Sequence, residues 1–369
     1  MKIAVLTSSR ADYGIYLPLL CAMKEDSFFD LRIIAFGTHL SSLHGHTIDT
    51  IKKDGFTIDH ELDHILPSDT EEAIASSMSI AFEKFVKVWQ KEKKNYDLVL
   101  CLGDRYEMFA AVSAASPFGI KFAHLHGGET TLGAIDNEFR HCITIFSTLH
   151  FTSTEKYAER VAAIKGSTEN VYCVGALSLD NLKQAKLLSR EQFQEKFSID
   201  LSKSSILVTF HPQTVNTQPN KKNAEELIKA LGEIETYQII ITMPNADTMG
   251  NTMREVYKKF ASENNNVVLV ENFGTEGYFN CMNLCAMVVG NSSSGIIEAA
   301  SFKKYVVDIG NRQCGRAVSA NVIHCEAEAN EILQACSKAL KKGEYQGDNI
   351  YYKPNVAQNI IQTLRKWYC

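Results

Sequence analysis

Short apolar runs alternate with amphipathic segments along the chain. In the first half the runs KIAVLTS, LRIIAFG, DLVLCLG, IKFAHLH and LHFTS are rich in β-branched and other apolar residues and predict buried strands. The segments between them, such as 69–94, have helical periodicity. Because this alternation is typical of parallel strands joined by crossover helices, we predict an α/β fold.

The same alternation restarts after a stretch rich in Lys and Ser at 183–204. There the runs SSILVTF, YQIIIT, NVVLVEN, AMVVGNS and KYVVDIG predict the strands of a second sheet. We therefore predict two doubly wound, Rossmann-like α/β domains, 1–175 and 176–354. The C-terminal segment 355–369 contains a last predicted helix, which could pack on either domain.

Composition argues against several classes of partner. The 369 residues carry a net charge of −5 without a block of like charge, so nothing indicates binding to nucleic acid or to a membrane surface. No apolar run approaches the roughly 20 residues that span a bilayer. The ten cysteines lack CxxC spacing and several lie in apolar runs, which is typical of reduced thiols. We expect a cytoplasmic protein.

Ligands of open parallel sheets bind beyond the carboxyl ends of the strands, so motifs at these ends are the candidates for function. In AMVVGNSSSGIIEAA, 286–300, a predicted strand ends at Gly290 and a helix follows. Backbone N–H groups at the start of that helix, joined by the Ser292 and Ser293 hydroxyls, suit a phosphate group. The alternative is an ordinary serine N-cap, and neither P-loop nor GxGxxG spacing is present.

Three further side chains belong with this anion site. Glu298 lies one helical turn beyond the serines and could accept hydrogen bonds from a ribose diol, and Arg312 follows the next predicted strand. His211 follows another strand in VTFHPQT, where a histidine donates to a pyrophosphate or carries a proton near neutral pH. The ordinary alternatives are a solvated surface charge for Glu298 and Arg312, and a loop hydrogen bond for His211.

In the first domain, polar side chains again follow predicted strands. Arg10 and Asp12 follow the first strand, where they either bind substrate or pair with each other. His39 follows the second strand in GTHL, and Asp104 and Arg105 follow the run LCLG. Asp104 is also placed to cap the next helix. A last set flanks turns without evident partners and is expected at the surface: His44, His46, His60 and His64.

The stretch AHLHGGETTLGAIDNEFRH, 123–141, crowds titratable groups around a Gly-Gly turn. His124 and His126 share a face if the strand continues through both. Asp136 and Arg140 lie four residues apart on a predicted helix, so they share a face and can pair. A zinc site is disfavoured, because no Cys or HxxxH partner is present. The stretch and its neighbours suit removal and delivery of protons by Asp104, His126, Glu129 and Asp136.

Taken together, SRADYG, GDRYE, HLHGGETTLGAIDNEFRH, FHPQT, PNAD and GNSSSGIIEAA with IGNRQ resemble the UDP-hydrolysing UDP-N-acetylglucosamine 2-epimerases, in order from residue 7 to about residue 316. The resemblance implies a glycosyltransferase-B-like arrangement with an interdomain cleft, and a reaction without metal or redox cofactor. A base removes the sugar C2 proton, UDP leaves by anti elimination, and water adds to the glycal. UDP-N-acetylglucosamine would thus give UDP and N-acetylmannosamine for sialic-acid-type synthesis.

The resemblance also implies roles for individual residues. UDP-contacting positions of the family match Arg10, Arg105, His211, Asn245, Ser292, Ser293, Glu298 and Arg312, and carboxylates implicated in proton transfer match Asp104 and Asp136. By position we add Asp12, His39 and Arg140 as candidates for substrate binding. His211 is also a candidate for catalysis. The sequence departs from some members at Gly14, where these have serine, and at His126, which takes the first acidic position of H-x-E-G-G-E. The second departure leaves open whether His126 or Glu129 exchanges the proton.

Four alternatives remain. A non-hydrolysing epimerase usually carries T-R-P-E and H-x-E-A-G, which SRADYG and HLHGGE do not match. A hydrolysing epimerase of UDP-2,4-diacetamido-2,4,6-trideoxyglucose, on the legionaminic acid route, belongs to the same group of enzymes. A glycosyltransferase would need an acceptor groove, and a non-catalytic sensor would bind UDP-sugar without releasing UDP.

The family also implies a homodimer or larger homo-oligomer, for which the helix predicted at 69–94 could supply the interface.

Overall fold

The computed structural model describes residues 1–42, 45–68, 70–132, 135–184, 187–213, 219–244 and 250–369, which form two compact units. The first unit contains Met1–Glu129, Asp136–Asn181 and Lys353–Cys369. The second contains Thr130–Ile135 and Leu182–Tyr352. Each unit is built around a parallel sheet, which confirms the predicted fold class of two doubly wound, Rossmann-like α/β domains.

The secondary structure is as follows. The strands are β1 (Lys2–Thr7), β2 (Asp30–Phe36), β3 (Ile58–Leu62), β4 (Leu98–Leu102), β5 (Phe122–Leu125), β6 (Leu149–Thr152), β7 (Val171–Cys173), β8 (Ser205–Thr209), β9 (Gln238–Thr242), β10 (Val267–Val270), β11 (Met287–Gly290), β12 (Val306–Ile309) and β13 (Val322–Cys325). The α-helices are α1 (Arg10–Lys24), α2 (Ile48–Lys53), α3 (Glu71–Glu92), α4 (Tyr106–Ala114), α5 (Asp136–Phe146), α6 (Glu155–Lys165), α7 (Asp180–Gln184), α8 (Arg190–Phe197), α9 (Asn220–Gly232), α10 (Gly250–Glu263), α11 (Gly274–Leu284), α12 (Ser293–Ile297), α13 (Ala329–Lys342) and α14 (Val356–Tyr368). Short 3₁₀ turns cover Gly37–Leu40, Ser116–Phe118, Leu177–Leu179 and Ala299–Phe302.

The sheet of the first unit has seven strands in the order β3-β2-β1-β4-β5-β6-β7, all paired in parallel. On one face of β1, Ile3 belongs to the core that includes α1 and α14. On the other face, Leu6 belongs to the core around Phe85 and Trp89 of α3. A sheet buried on both faces needs nearly continuous apolar strands, which explains the unbroken runs in the sequence. The strand order reverses between β1 and β4, where such sheets bind ligands.

The C-terminal helix packs within the first unit. Ile360 and Leu364 of α14 are fully buried in the core that also contains α1. Arg365 donates to both carboxylate oxygens of Asp26 at 2.6 Å, and its guanidinium carbon lies 4.3 Å from the ring centroid of Phe28. The chain therefore returns to its first unit after completing the second.

The sheet of the second unit has six parallel strands in the order β10-β9-β8-β11-β12-β13. Its order reverses between β8 and β11, so the ends of these two strands form its expected ligand edge. Ile206 and Val208 on one face of β8 pack with α9 and α13, while Leu207 on the other face packs with Phe193 and Phe279.

Three strands were absent from the sequence prediction, and all three lie at sheet edges. They are β3, β7 and β13. None of them has the fully buried pattern of central strands, because an edge strand is partly solvated and tolerates charged side chains. Among the helices that the structure describes, none is long and apolar enough to span a membrane.

Candidate active site

The loop after β1 is ordered by Asp12. Its carboxylate accepts hydrogen bonds from the backbone N–H of Ser8 at 3.0 Å and from the Ser8 hydroxyl at 2.6 Å, and the residue is 6% exposed. Ser9 caps α1 by accepting a bond from the Asp12 N–H at 3.3 Å. Arg10 begins α1 and is exposed. Asp12 thus fixes the loop, whereas Arg10 is open to solvent.

His39 lies in the 3₁₀ turn after β2 and is fully buried. Its Nε2 is 2.9 Å from the hydroxyl of Thr7, and its Nδ1 is 2.8 Å from the hydroxyl of Thr47. Burial lowers the pKa of His39 to about 4. With both ring nitrogens bonded within the protein, the geometry favours a structural role over the predicted substrate contact.

Two charged residues follow β4. The side chain of Asp104 is 24% exposed and pairs with Arg140 of α5. It does not cap α4 as expected, because the N-cap position is occupied by Arg105. Arg105 donates from Nη2 to Oε1 of Glu107 at 2.8 Å, and the Glu107 carboxylate, which is fully buried, raises the pKa of Arg105 well above its usual range. Glu107 therefore anchors a fixed cation at this edge of the sheet.

The strand β5 ends before the second histidine of HLHGGE. His126 has a φ of 61° and is 8% exposed, so it does not share a strand face with His124. His124 is fully buried, with Nε2 2.8 Å from the Gly103 carbonyl oxygen, and burial lowers its pKa to about 3. At Gly128, which has a φ of 77°, a Cβ atom would collide with the Tyr157 carbonyl oxygen. The Gly-Gly turn is thus required to close the loop on α6.

His126 forms a pair with Glu129. The His126 Nδ1 lies 2.7 Å from Oε1 of Glu129, which also accepts from the Ser153 hydroxyl at 2.7 Å. Within the part of the chain that the structure describes, the buried Nε2 of His126 has no hydrogen-bond partner. The other Glu129 oxygen is 3.6 Å from Nη1 of Arg140. Ser153, from the loop after β6, is a member of this group that the sequence did not single out.

Asp136, at the start of α5, is the third carboxylate of the group. Partial burial and the nearby Asp104 carboxylate raise the pKa of Asp136 to about 7, although Arg105 and Arg140 act in the opposite direction. Asp136 can therefore hold or release a proton near neutral pH. The first unit thus brings together Asp12, Asp104, Arg105, His126, Glu129, Asp136 and Arg140.

The other histidines differ in part from expectation. His46 is at the surface and pairs with Asp49, at 2.9 Å. The surface prediction is wrong for His64, which is 4% exposed and lies beside Phe36, with ring centroids 6.0 Å apart. His60 is partly buried and its Nε2 is 3.1 Å from Oε1 of Glu92, a partner too distant in sequence to be recognised. His44 lies outside the described residues.

In the second unit, the loop after β11 carries the predicted anion site. Gly290 has a φ of 140°, and a Cβ atom there would collide with the Thr209 carbonyl oxygen, so only glycine fits between β11 and β8. The Ser292 side chain caps α12 by accepting from the Ser294 N–H at 3.4 Å. Ser292 and Ser293 are both partly exposed.

Asn291, 1% exposed, connects this loop to its neighbours. Its side-chain oxygen accepts from the His211 N–H at 2.7 Å, and its amide nitrogen donates to the His211 carbonyl oxygen at 2.8 Å. Its own carbonyl oxygen accepts from Arg312 Nη1 at 3.0 Å and from Gln313 Nε2 at 2.8 Å. One asparagine therefore holds His211 and Arg312 at the same sheet edge.

Glu298 is 5% exposed and lies near Tyr278. The Tyr278 hydroxyl is 3.1 Å from the hydroxyl of Thr209 and also bonds the side chain of Ser292. Burial raises the pKa of Tyr278, so the phenol stays protonated. The second unit thus brings together His211, Ser292, Ser293, Glu298 and Arg312 with three residues that the sequence did not reveal: Tyr278, Asn291 and Gln313. Asn245 lies outside the described residues.

The two groups differ in their chemistry. No cluster of three or more His, Cys, Asp or Glu side chains that could hold an ion occurs in the described ranges. The first group instead consists of carboxylates paired with arginines and a histidine, which suits proton transfer. The second consists of hydroxyl and cationic donors with one buried carboxylate at the strand ends, which suits a nucleotide.

Parallel α/β units with these two groups of side chains define an enzyme that acts on a nucleotide-linked substrate. Residues 21–365 match the family described as UDP-N-acetylglucosamine 2-epimerase, and the chain belongs to this family. The family resemblance seen in the sequence is therefore confirmed, and with it the class of hydrolysing 2-epimerases.

Three relatives illustrate the match. The GDP/UDP-N,N'-diacetylbacillosamine 2-epimerase (hydrolyzing) of Campylobacter jejuni is 34% identical over 92% of this chain and 88% of its own. The UDP-N,N'-diacetylbacillosamine 2-epimerase (hydrolyzing) of Legionella pneumophila is 35% identical over 99% and 95%. Polysialic acid biosynthesis protein P7 of Escherichia coli is 33% identical over 99% and 93%.

The fold is shared with a solved structure. The crystal structure of UDP-GlcNAc 2-epimerase from Neisseria meningitidis bound to UDP-GlcNAc matches with a TM-score of 0.82. It covers 99% of this chain and 100% of its own, at 17% sequence identity. At that identity the likeness concerns the fold alone.

Proposed function

We propose that the protein is a hydrolysing 2-epimerase of UDP-N,N'-diacetylbacillosamine, which is UDP-2,4-diacetamido-2,4,6-trideoxyglucose. The two relatives named for this sugar support the choice of substrate, because they align over nearly the whole chain. The observation that carries the proposed chemistry is the group formed by His126, Glu129 and Asp104, which follow β5 and β4, and Asp136 at the start of α5.

The proposed reaction has two stages. A base first removes the proton from C2 of the sugar, the C1–O bond to UDP breaks, and a C1=C2 glycal forms. Water then adds: its hydroxyl joins C1, and an acid delivers a proton to C2 on the opposite face. The products are UDP and the free sugar with inverted C2.

We assign the base to His126 and the acid to Asp136. A carboxylate only accepts hydrogen bonds, so Glu129 places the ring proton of His126 on Nδ1 and leaves a lone pair on the buried Nε2. Asp136 carries a transferable proton, because burial and Asp104 raise its pKa to about 7.

We assign the UDP moiety to the second unit. Ser292, Ser293 and the backbone at the β11 end supply donors for the diphosphate, with His211 and Arg312 held beside them by Asn291. Glu298 is placed to accept from the ribose hydroxyls, as the family resemblance implies. For Arg10, Arg105 and Asn245, UDP contact remains a prediction from the family resemblance.

A second candidate substrate is UDP-N-acetylglucosamine, with N-acetylmannosamine as the product. The 33% identity to polysialic acid biosynthesis protein P7 favours it, because polysialic acid is a polymer of sialic acids, which the sequence resemblance also indicated. The two substrates differ at C4 and C6 of the sugar, so they share every chemical step at C1 and C2.

A parallel UDP-release assay tests the proposal. The enzyme is incubated with each UDP-sugar, and UDP, UDP-linked sugar and free sugar are separated by anion-exchange chromatography. We expect stoichiometric UDP and free sugar, with higher kcat/KM for the diacetamido substrate, and loss of turnover in Asp104→Asn. A 2-epimer that remains linked to UDP would indicate a non-hydrolysing enzyme, and binding without turnover would indicate a sensor. Full turnover in Asp104→Asn would remove Asp104 from the mechanism.

We also propose that the protein is a cytoplasmic homo-oligomer that associates through α3. The helix exposes 43% of Phe82 beside a groove of about 520 Å³ that Phe109 of α4 also lines. All ten cysteines are free, as in proteins of reducing compartments. Size-exclusion chromatography with light scattering tests the interface. We expect the wild type to be oligomeric and Phe82→Glu to be monomeric.

A further inference from the structure

A buried arginine connects the members of the proton-transfer group. Arg140 is 3% exposed, and its Nη2 binds the Asp104 carboxylate. Its Nη1 donates to the carbonyl oxygen of His126 at 3.0 Å and lies 3.6 Å from Oε2 of Glu129. A buried guanidinium is tolerated when its charge is paired. Here the carboxylates of Asp104 and Glu129 face the Arg140 charge, and the backbone carbonyl oxygen of His126 accepts from its Nη1.

The other side of Glu129 is equally constrained. Its Oε1 accepts from the Ser153 hydroxyl and from Nδ1 of His126, both at 2.7 Å. Glu129 therefore lies between two donors on one oxygen and the arginine on the other. The backbone of His126 is held as well. Its carbonyl oxygen accepts from Arg140, and its N–H donates to the carbonyl oxygen of Phe151 at 2.9 Å.

We propose that Arg140 is a positioning residue, which fixes Asp104 and the His126–Glu129 pair in their reactive geometry, and that it does not bind the substrate. This inference rests on the proposed function. The planar fork of a guanidinium can meet a carboxylate, a backbone oxygen and a second carboxylate at once. Because those three acceptors lie inside the protein, Arg140 acts on the sugar only through the residues that it orients.

Arg140→Lys separates the two roles. Lysine keeps the positive charge but has a single ammonium group, which cannot reach Asp104, Glu129 and the His126 carbonyl together. We expect kcat to fall roughly tenfold to a hundredfold, while KM and the affinity for UDP stay within about twofold. The matched control is Arg160→Lys in α6: Arg160 donates to the Gly128 carbonyl oxygen at 3.3 Å, in the same turn. The control should retain kcat within about twofold.

A rise in KM with unchanged kcat would make Arg140 a substrate ligand and overturn the proposal. Wild-type kinetics in Arg140→Lys would overturn it as well. If that variant fails to fold, as judged by circular dichroism, Arg140→Gln takes its place, since a glutamine amide is too short to join Asp104, Glu129 and the His126 carbonyl oxygen. The same fall in kcat at constant KM supports the proposal, and wild-type kcat refutes it.

Nitrogen-15 NMR of the imidazole rings gives a readout that does not need turnover. We expect one tautomer for His126 in the wild type, with the proton on Nδ1, and mixed tautomers in Arg140→Lys, with the signal assigned by its loss in His126→Gln. If the wild type released no UDP, the proposed function would fail while this test still applied. An unchanged His126 tautomer in Arg140→Lys would overturn the positioning role by itself.

Discussion

The acid assigned to Asp136 predicts a specific pH dependence. As the proton donor, Asp136 must be protonated, and burial together with the Asp104 carboxylate raises its pKa to about 7. With that pKa, the protonated fraction is about nine-tenths at pH 6 and about one-tenth at pH 8. The limb of kcat/KM that Asp136 governs should therefore fall about tenfold between these values, provided that UDP stays bound with the glycal until the proton has been delivered.

The assay is a continuous measurement of UDP release from pH 5.5 to 8.5, at constant ionic strength, with substrate well below KM. The diphosphate of a UDP-sugar is fully esterified at its two ends, so the substrate itself does not titrate in this range. Asp136→Asn should lower kcat/KM about 10²- to 10⁴-fold and abolish the limb near pH 7. Glu138→Gln, which changes an exposed carboxylate on the same helix, should leave the profile unchanged.

Two results would refute this reasoning. A limb of kcat/KM that rises from pH 6 to pH 8 in the wild type and disappears in Asp136→Asn would mean that the ionised form of Asp136 is active, and the acid and base assignments would be exchanged. A falling limb that survives in Asp136→Asn would belong to a different group, and Asp136 would lose its role as the proton donor.

Three further predictions follow from particular contacts. The stability that a protonated Asp136 contributes is lost as pH rises through about 7, so Asp136→Asn should raise the melting temperature relative to wild type at pH 8 but not at pH 4. Glu298→Gln should weaken UDP binding by roughly tenfold in calorimetry, with an unchanged melting temperature, if the carboxylate accepts from the ribose. Gly290→Ala should destabilise the protein by more than about 2 kcal/mol in urea denaturation, because its Cβ meets the Thr209 carbonyl oxygen. In Gly343→Ala, where φ is also positive but no atom lies within 4 Å, the loss should be about 1 kcal/mol.

The sequence predicted the central strands because their burial on both faces requires continuous apolar runs. The strand β11, for example, is fully buried along MVVG. The edge strand β3 reads IDHEL, and its charged residues are tolerated because one edge meets solvent, so no hydrophobic pattern marked it. Periodicity therefore reveals a strand to the extent that the strand is enclosed.

The positions of the candidate residues were predictable where a polar side chain directly follows a strand, as for Asp104, His126 and Ser292. The residues that hold these in place were not, because their partners are distant in sequence. Asn291 reaches His211, 80 positions away, and Ser153 reaches Glu129, 24 positions away. Neither has a local signal: a single asparagine or serine after a strand has many ordinary uses in turns.

The most direct test of the account is a proton NMR time course with UDP-N,N'-diacetylbacillosamine in deuterated water. We expect release of UDP together with a free sugar whose C2 is inverted and carries deuterium, because the proton removed by the base is replaced from solvent. UDP release with the original proton retained at C2 would mean simple hydrolysis. That result would contradict elimination through a glycal.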